Sequence, residues 1–96
     1  MNKNNILSIL KEYKNRNAGK YGILSLGLFG SVAKGEHRDG SDVDISITLA
    51  EPDLITLSRI RLELEELIKI HVDLVHYRDR MNKYLKKRIE REIIHV

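Results

Sequence analysis

Asp42 and Asp44 are separated by one residue at the start of a segment in which apolar and polar residues alternate, Val43 to Leu49. Residues two apart in a β-strand project from the same face, with their Cα atoms about 6.5–7 Å apart. Two carboxylates on one face repel each other unless a cation lies between them. Because hard divalent ions such as Mg²⁺ prefer carboxylate, water and phosphate oxygens, the pair predicts a metal site that could hold two ions.

Groups suited to a phosphate lie just upstream of the two aspartates. Gly30 and Ser31 directly follow the apolar segment 23–29, ILSLGLF, which is flanked by glycines and is typical of a strand. Glycine lets a phosphate approach the backbone, N–H groups at a helix start attract anions, and the serine hydroxyl adds a donor. Gly35 would let the loop fold back over a ligand. This turn therefore predicts a phosphate-binding element.

The same loop carries two cations and a second serine. Lys34 and Arg38 could neutralise phosphate oxygens, and the guanidinium of Arg38 could bind them in a bidentate manner. Each of the two could equally be a solvent-exposed surface charge. Ser41 is a further candidate nucleotide-binding residue, but its sequence position favours a turn or capping role that orients Asp42.

A third aspartate, Asp73, interrupts the apolar segment HVDLVHY at residues 71–77. An unpaired acid in a buried strand is costly, and neighbouring strands lie about 4.8 Å apart, so Asp73 could reach the same metal as Asp42 and Asp44. The alternative is a hydrogen-bonded structural acid. Three carboxylates beside a phosphate-binding turn are the groups that metal-dependent phosphoryl or nucleotidyl transfer requires.

Alternating and helical periodicities predict the elements that must position these residues. Strands are predicted at 23–29, 43–49 and 71–77, and helices at 4–17, from Pro52 to about Lys69, and from Met81 through Ile89. This order implies one sheet covered by helices, an α/β or α+β arrangement. Residues 93–96 could extend the last helix or form a short strand, and the pattern leaves both open.

Two helical features are predicted in more detail. Gly19 is expected to end the first helix in the left-handed conformation, and Pro52 suits the first turn of the second long helix. That helix is expected to bury a stripe of six apolar residues, namely Leu54, Leu57, Ile60, Leu64, Leu67 and Ile68.

Composition restricts the class of protein. Of 96 residues, 42% are hydrophobic and 32% charged, so we expect one folded domain over residues 1–96. That length excludes barrel and long dinucleotide-binding enzymes, and the lack of cysteine excludes disulfides, thiol catalysis and cysteine-ligated zinc. No apolar run reaches the roughly 20 residues of a membrane span, and the N-terminus lacks the apolar stretch of a signal peptide, so we expect a cytoplasmic protein.

The net charge of +3 hides an uneven distribution. Basic residues outnumber acidic ones in residues 1–20 and 77–96, whereas acidic residues outnumber basic ones in between. This pattern suggests a cation site flanked by anion-attracting surface, the alternative being solvated helix faces. With four tyrosines and one phenylalanine, the chain has no evident base-stacking platform, and we do not expect direct nucleic-acid binding.

One continuous pattern carries a family resemblance, Gly30-Ser31-x-Ala33-x-Gly35-x5-Ser41-Asp42-x-Asp44. It resembles the signature of the DNA polymerase β-like nucleotidyltransferase superfamily. The short chain and the later Asp73 make it similar to the minimal nucleotidyltransferase (MNT) branch, whose fold is a small mixed β-sheet backed by helices. Lys34 stands where that family often has arginine, which keeps the charge but removes the bidentate fork.

The resemblance implies a role for each matching residue. Gly30 and Ser31 would hold the nucleotide triphosphate, and Asp42 and Asp44 would bind both Mg²⁺ ions. Asp73 would complete the metal site beside the attacking hydroxyl and help it lose its proton. The hydroxyl would then attack the α-phosphate of ATP in line, and pyrophosphate would leave.

Many family members of this size, which resemble the chain in length and motif, are antitoxins encoded beside a HEPN-domain toxin. The resemblance therefore implies transfer of AMP from ATP to a tyrosine of a partner HEPN toxin, in a hetero-oligomer or as a homodimer. Two alternatives stay open: a non-catalytic nucleotide-binding antitoxin that neutralises its partner by stoichiometric contact, and nucleotidyl transfer to a small-molecule hydroxyl. The second is less expected, because no additional domain remains to build a substrate pocket.

Overall fold

The computed structural model describes residues 2–96, in which helices and strands follow one another along the chain. The elements are α1 (Lys3–Tyr21), β1 (Ile23–Phe29), α2 (Gly30–Ala33), β2 (Val43–Leu49), α3 (Leu54–Ile68), β3 (Val72–His76), α4 (Lys83–Glu92) and β4 (Ile94–His95). The strands form one sheet in the order β3-β2-β1-β4. No helix of this described part is long and apolar enough to cross a membrane.

The sheet is mixed. β1 pairs antiparallel with both β2 and β4, whereas β2 and β3 run parallel and are joined through α3. A parallel pair needs such a crossover, and a helix is the usual connection. The mixed sheet backed by helices confirms the predicted fold class.

The two faces of the sheet are covered differently. One face packs against α1 and α3 and forms the main core, in which Leu26, Leu28, Ile45 and Ile47 are fully buried. A smaller apolar cluster joins Phe29, at the end of β1, to Ile89 of α4 and to Met81 in the segment before α4. Since strand residues alternate between faces, Asp44 lies opposite the main core and on the side of Phe29.

Helix boundaries correct two predictions. Gly19 does not end α1, because the helix continues to Tyr21 and Gly22 takes the left-handed cap with φ of 67°. The Gly22 N–H donates to the carbonyl of Ala18 there. Pro52 lies before rather than within the first turn of α3, because Asp53 is the N-cap and its carboxylate accepts the Thr56 N–H at 2.9 Å.

The predicted apolar stripe of α3 is only partly buried. Ile60, Leu64 and Ile68 are fully buried. Leu54 and Leu67 are exposed, so the prediction that they are buried is wrong. Both lie at the margins of the stripe, and only its central row reaches the sheet. At the other end of the chain, the residues left open between helix and strand form β4, which pairs with β1 at Gly27 and Leu28.

The contact between β1 and the C-terminal residues predicts opposite effects for two glycine substitutions. An added Cβ at Gly27 would lie 2.6 Å from Ile93 Cδ1 and 2.9 Å from the Ile94 carbonyl oxygen. Gly27→Ala should therefore lower the free energy of unfolding by about 1–3 kcal/mol. Gly19→Ala meets no atom within 4 Å in a helical position and should raise it by about 0.5–1 kcal/mol. Urea denaturation of both variants tests the pair, and equal effects would contradict it.

Candidate active site

Strand register brings the two aspartates of the sheet together. Phe29 is paired with Asp44 across β1 and β2, and Asp44 is paired with Asp73 across β2 and β3. Paired residues on neighbouring strands lie about 4.8 Å apart and project from the same face. The end of β1, and with it the turn that begins at Gly30, therefore meets both carboxylates at one edge.

Asp42 lies just before β2, and its position is fixed by the strand that follows. The Val43 N–H donates to the His71 carbonyl at 2.9 Å, which ties the starts of β2 and β3 together. Asp42 and Asp73 are exposed, whereas the side chain of Asp44 is only 20% exposed. The three acids thus form one partly open anionic surface, with Asp44 at its base.

The environment of Asp44 disfavours its charge. Burial raises the pKa of Asp44 above its ordinary value, the negative charge of Asp73 raises the pKa further, and Arg88 opposes both effects. Asp42 adds a smaller effect in the same direction as Asp73. The folded protein therefore takes up a proton at Asp44 more readily than an isolated aspartate would.

The donor set of this surface fits Mg²⁺. Within residues 2–96, no three acidic or histidine side chains are gathered closely enough to hold a metal ion by themselves. Mg²⁺, however, usually takes one or two carboxylates and completes its shell with water and substrate phosphates. Asp44 in register with Asp73, and Asp42 two residues before it, supply carboxylates of that kind.

Gly30 is required at its position because Asp44 occupies the space that a side chain would need. Its φ is 79°, and an added Cβ would lie 2.9 Å from Asp44 Cγ and would overlap Oδ2. The turn it starts is closed by hydrogen bonds from Lys34 N–H to the Gly30 carbonyl at 3.1 Å and from Glu36 N–H to the Ser31 carbonyl at 2.8 Å. The turn and the carboxylate are therefore packed directly against each other.

The Gly30 N–H, expected to face a phosphate, has a protein partner. It donates to Glu92 Oε1 at 3.2 Å. Ser31 is half-buried in the same turn and supplies the hydroxyl expected from the sequence. Gly30 is therefore anchored to α4 through its N–H, and the hydroxyl of Ser31 stays a predicted phosphate donor.

The remaining candidates of the loop differ in their surroundings. Lys34 is 45% exposed, and its Nζ lies 3.5 Å from Glu92 Oε2 and 3.9 Å from Glu36 Oε2. Arg38 is exposed. The Arg38 N–H donates to Ser41 Oγ at 3.1 Å, and the Ser41 N–H donates to the Arg38 carbonyl at 2.9 Å. Ser41 thus closes the loop before Asp42, and Lys34 lies beside the Gly30 turn.

Two residues of α4 that the sequence reasoning did not single out also border the site. Arg88 Nη2 lies 4.0 Å from Asp44 Oδ2, and Arg88 Nε lies 3.4 Å from Glu92 Oε1. Glu92 is 7% exposed. The i, i+4 spacing of the two residues indicates an ion pair on one helix, but nothing local in the sequence connects that pair with Gly30.

Comparisons with known proteins agree with this arrangement. Residues 7–96 match the family model for the nucleotidyltransferase domain. A Methanocaldococcus jannaschii protein with the provisional name protein adenylyltransferase is 37% identical over 92 residues, which cover 95% of this chain and 94% of that protein. Protein adenylyltransferase MntA of Thermococcus cleftensis is 34% identical over 92 residues, which cover 95% of this chain and 92% of MntA.

Solved structures share the fold. One provisionally named a minimal nucleotidyltransferase has a TM-score of 0.80 at 30% identity, covering 98% of this chain and 95% of that one. A toxin–antitoxin with AMP-PNP has a TM-score of 0.76 at 24% identity, and the match covers 99% of this chain and 72% of that one. A structure of a tri-AMPylated Shewanella oneidensis HEPN toxin in complex with MNT antitoxin has a TM-score of 0.70 at 22% identity, and the match covers 99% of this chain and 71% of that one.

Proposed function

Since the chain belongs to the nucleotidyltransferase domain family, we propose that it transfers AMP from ATP to a tyrosine hydroxyl of a partner HEPN toxin and thereby acts as an antitoxin. The two curated relatives carry the name protein adenylyltransferase, and a chain of the same fold is found with an AMPylated HEPN toxin. The observation that carries the proposal is the register of Asp44 with Asp73 beside the Gly30 turn. Residues 1–96 would act as a single domain in the cytoplasm, where ATP is available.

The carboxylates Asp42, Asp44 and Asp73 would hold the two Mg²⁺ ions. Bound there, Mg²⁺ would neutralise the triphosphate and favour the ionised form of the attacking hydroxyl. The negative charges of Asp73 and Asp42, which raise the pKa of Asp44, support this role because a cation between the carboxylates would offset their repulsion.

The chain's own residues would place the two reactants. The Ser31 hydroxyl and Lys34, on the turn closed by the Gly30 carbonyl, would bind the triphosphate. Asp73, exposed on the strand next to Asp44, would accept the proton of the tyrosine hydroxyl. A new bond would form between that oxygen and the α-phosphorus while the bond to the β-phosphate oxygen breaks, and pyrophosphate would leave.

An acceptor on a protein surface suits the openness of the site. Asp42 and Asp73 are exposed at the edge of the sheet rather than enclosed. A concavity of about 680 Å³ lies elsewhere, between α1 and α3, and contains none of the three aspartates. A small alcohol would therefore have little to hold it, whereas a tyrosine presented by a docked protein is held by the rest of that protein.

Mass spectrometry of the partner tests the proposal. The HEPN-domain partner that the proposal requires would be purified alone, after co-expression with this chain, and after incubation with this chain, ATP and Mg²⁺. We expect the partner to gain the mass of one or more AMP groups in the last two cases, on a tyrosine near its active site. Replacement of that tyrosine by phenylalanine should abolish the gain.

The other outcomes distinguish the alternatives. An unmodified partner that is nevertheless inactive in a stable complex would contradict AMP transfer and favour neutralisation by contact. Consumption of ATP with simple alcohols, in the absence of any protein acceptor, would favour the small-molecule reaction.

A further inference from the structure

The guanidinium of Arg88 lies between two acidic groups at the open edge of the site. It is 4.0 Å from Asp44 Oδ2 and 3.4 Å from Glu92 Oε1, and its Cζ is 5.5 Å from the centroid of the Phe29 ring. The Arg88 side chain is 43% exposed. One part of the guanidinium is thus held by the protein, while another part faces solvent next to Asp44.

Glu92 is the group that holds this arrangement together. Its buried carboxylate accepts the Gly30 N–H at 3.2 Å and lies 3.5 Å from Lys34 Nζ as well as 3.4 Å from Arg88 Nε. Burial alone would raise the pKa of Glu92, but Lys34, Arg88 and the Gly30 N–H together hold it below its ordinary value. Glu92 is therefore an ionised anchor between the Gly30 turn and two cations.

We propose that Arg88 binds the triphosphate of the nucleotide and that Glu92 is the positioning residue that holds Arg88 for it. The proposal rests on the function proposed above and adds a binding residue from α4 to it. The ion pair with Glu92 and the contact with Phe29 restrict the guanidinium before any ligand arrives, so less side-chain entropy is lost on binding.

Charge explains why Arg88 would exchange partners. Its contact with Asp44, at 4.0 Å, is longer than its contact with Glu92. A divalent cation at Asp44 would compete with the guanidinium for that carboxylate and repel it. The triphosphate that arrives with the cation offers anionic oxygens, and a guanidinium binds such oxygens in a bidentate manner.

The exposure of the neighbouring residues argues against a purely structural ion pair. Glu92 is 7% exposed and Arg88 43%, so the pair is buried only on its carboxylate side. Arg91 also approaches Glu92, at 3.7 Å, but is 72% exposed and makes no contact with Asp44 among the ion pairs of residues 2–96. Arg88 is therefore the arginine of α4 that contacts both Glu92 and Asp44.

Calorimetric titration of the whole protein with AMP-PNP, and separately with AMP, both in the presence of Mg²⁺, tests the proposal. We expect Arg88→Ala to weaken AMP-PNP binding by about 10- to 100-fold and to change AMP binding much less, because AMP lacks the β- and γ-phosphates. Arg88→Lys should give an intermediate loss. Lys87→Ala, which removes an exposed positive charge from the same helix, is the matched control and should leave both affinities unchanged.

Glu92→Gln tests the positioning role. The amide oxygen can still accept the Gly30 N–H, but the negative charge beside Arg88 is lost. We expect weaker AMP-PNP binding than in the wild type, a raised KM for ATP, and a kcat that changes less than KM. Loss of kcat alone would contradict positioning through Arg88.

The outcomes separate this inference from the proposed function. If Arg88→Ala binds AMP-PNP as well as Lys87→Ala does, or loses AMP binding equally, the inference is wrong even though the wild type transfers AMP. If the wild type binds neither nucleotide, the proposed function itself fails. Should Arg88→Ala unfold, the ratio of AMP-PNP to AMP affinity in Arg88→Lys decides the same question.

Discussion

Replacing Asp42 and Asp44 together by asparagine is expected to reduce AMP transfer to the partner by on the order of 10³-fold or more. Both carboxylates lie on the surface that fits the cation, and their amides would neither neutralise nor bind it comparably. The rate would be measured from the mass gain of the HEPN partner over time. Asp39→Asn removes an exposed acid from the preceding loop and serves as the control, with an expected rate close to wild type.

The melting temperature of the double variant shows whether a loss of AMP transfer is due to unfolding. Burial, and after it the neighbouring negative charges, raise the pKa of Asp44, so its ionisation opposes folding, and stability is lost as the pH rises through that pKa. Removing the charge should therefore leave the melting temperature at neutral pH unchanged or higher. If the folded double variant neutralised the partner as fully as the wild type does, catalysis would not be the antitoxin mechanism.

Gly30→Ala is expected to reduce AMP transfer by about 10²- to 10³-fold. The added Cβ would overlap the carboxylate of Asp44, and the backbone at Gly30 is in the left-handed region. Either the turn or the carboxylate must move, and both are part of the site. The free energy of unfolding should fall by about 1–3 kcal/mol at the same time.

Gly35→Ala provides the matched comparison for this effect. Gly35 has φ of 73°, close to that of Gly30, but an added Cβ there meets no atom within 4 Å. The two variants share the backbone strain, about 1–2 kcal/mol, and differ in the steric overlap with Asp44. Similar losses of AMP transfer in both would show that strain in the loop, rather than the packing of Gly30 on Asp44, limits the reaction.

Local pattern was enough for β1 and β2. The segments 23–29 and 43–49 were predicted with the bounds that the structure gives them, because alternation and flanking glycines are properties of neighbouring residues. The family resemblance predicted from the glycine, serine and aspartate pattern is confirmed as well. The end of α1 was not predicted, because Gly19 and Gly22 are both suitable caps, and the hydrogen bond from the Ala50 N–H to the Gly22 carbonyl is a contact between residues distant in sequence.

The site was predictable only where its residues are close in sequence. Asp42, Asp44, Gly30 and Ser31 belong to one motif, whereas the place of Asp73 depends on the parallel register of β2 and β3, which no local pattern fixes. Glu92 and Gly30 are 62 residues apart in sequence. Their contact depends on how α4 packs on Phe29. The sequence of α4, with its many basic residues, does not predict that packing.

The dependence of the Gly30 turn on Glu92 has a consequence for biosynthesis. A ribosome that has translated the chain as far as β3 has already made all three aspartates, the turn and both flanking cations of the loop. The nascent polypeptide still lacks the carboxylate that accepts the Gly30 N–H. Because domains fold as units while they emerge from the ribosome, the Gly30 turn should reach its final geometry only once α4 has left the exit tunnel, later than the three aspartates and the loop are made.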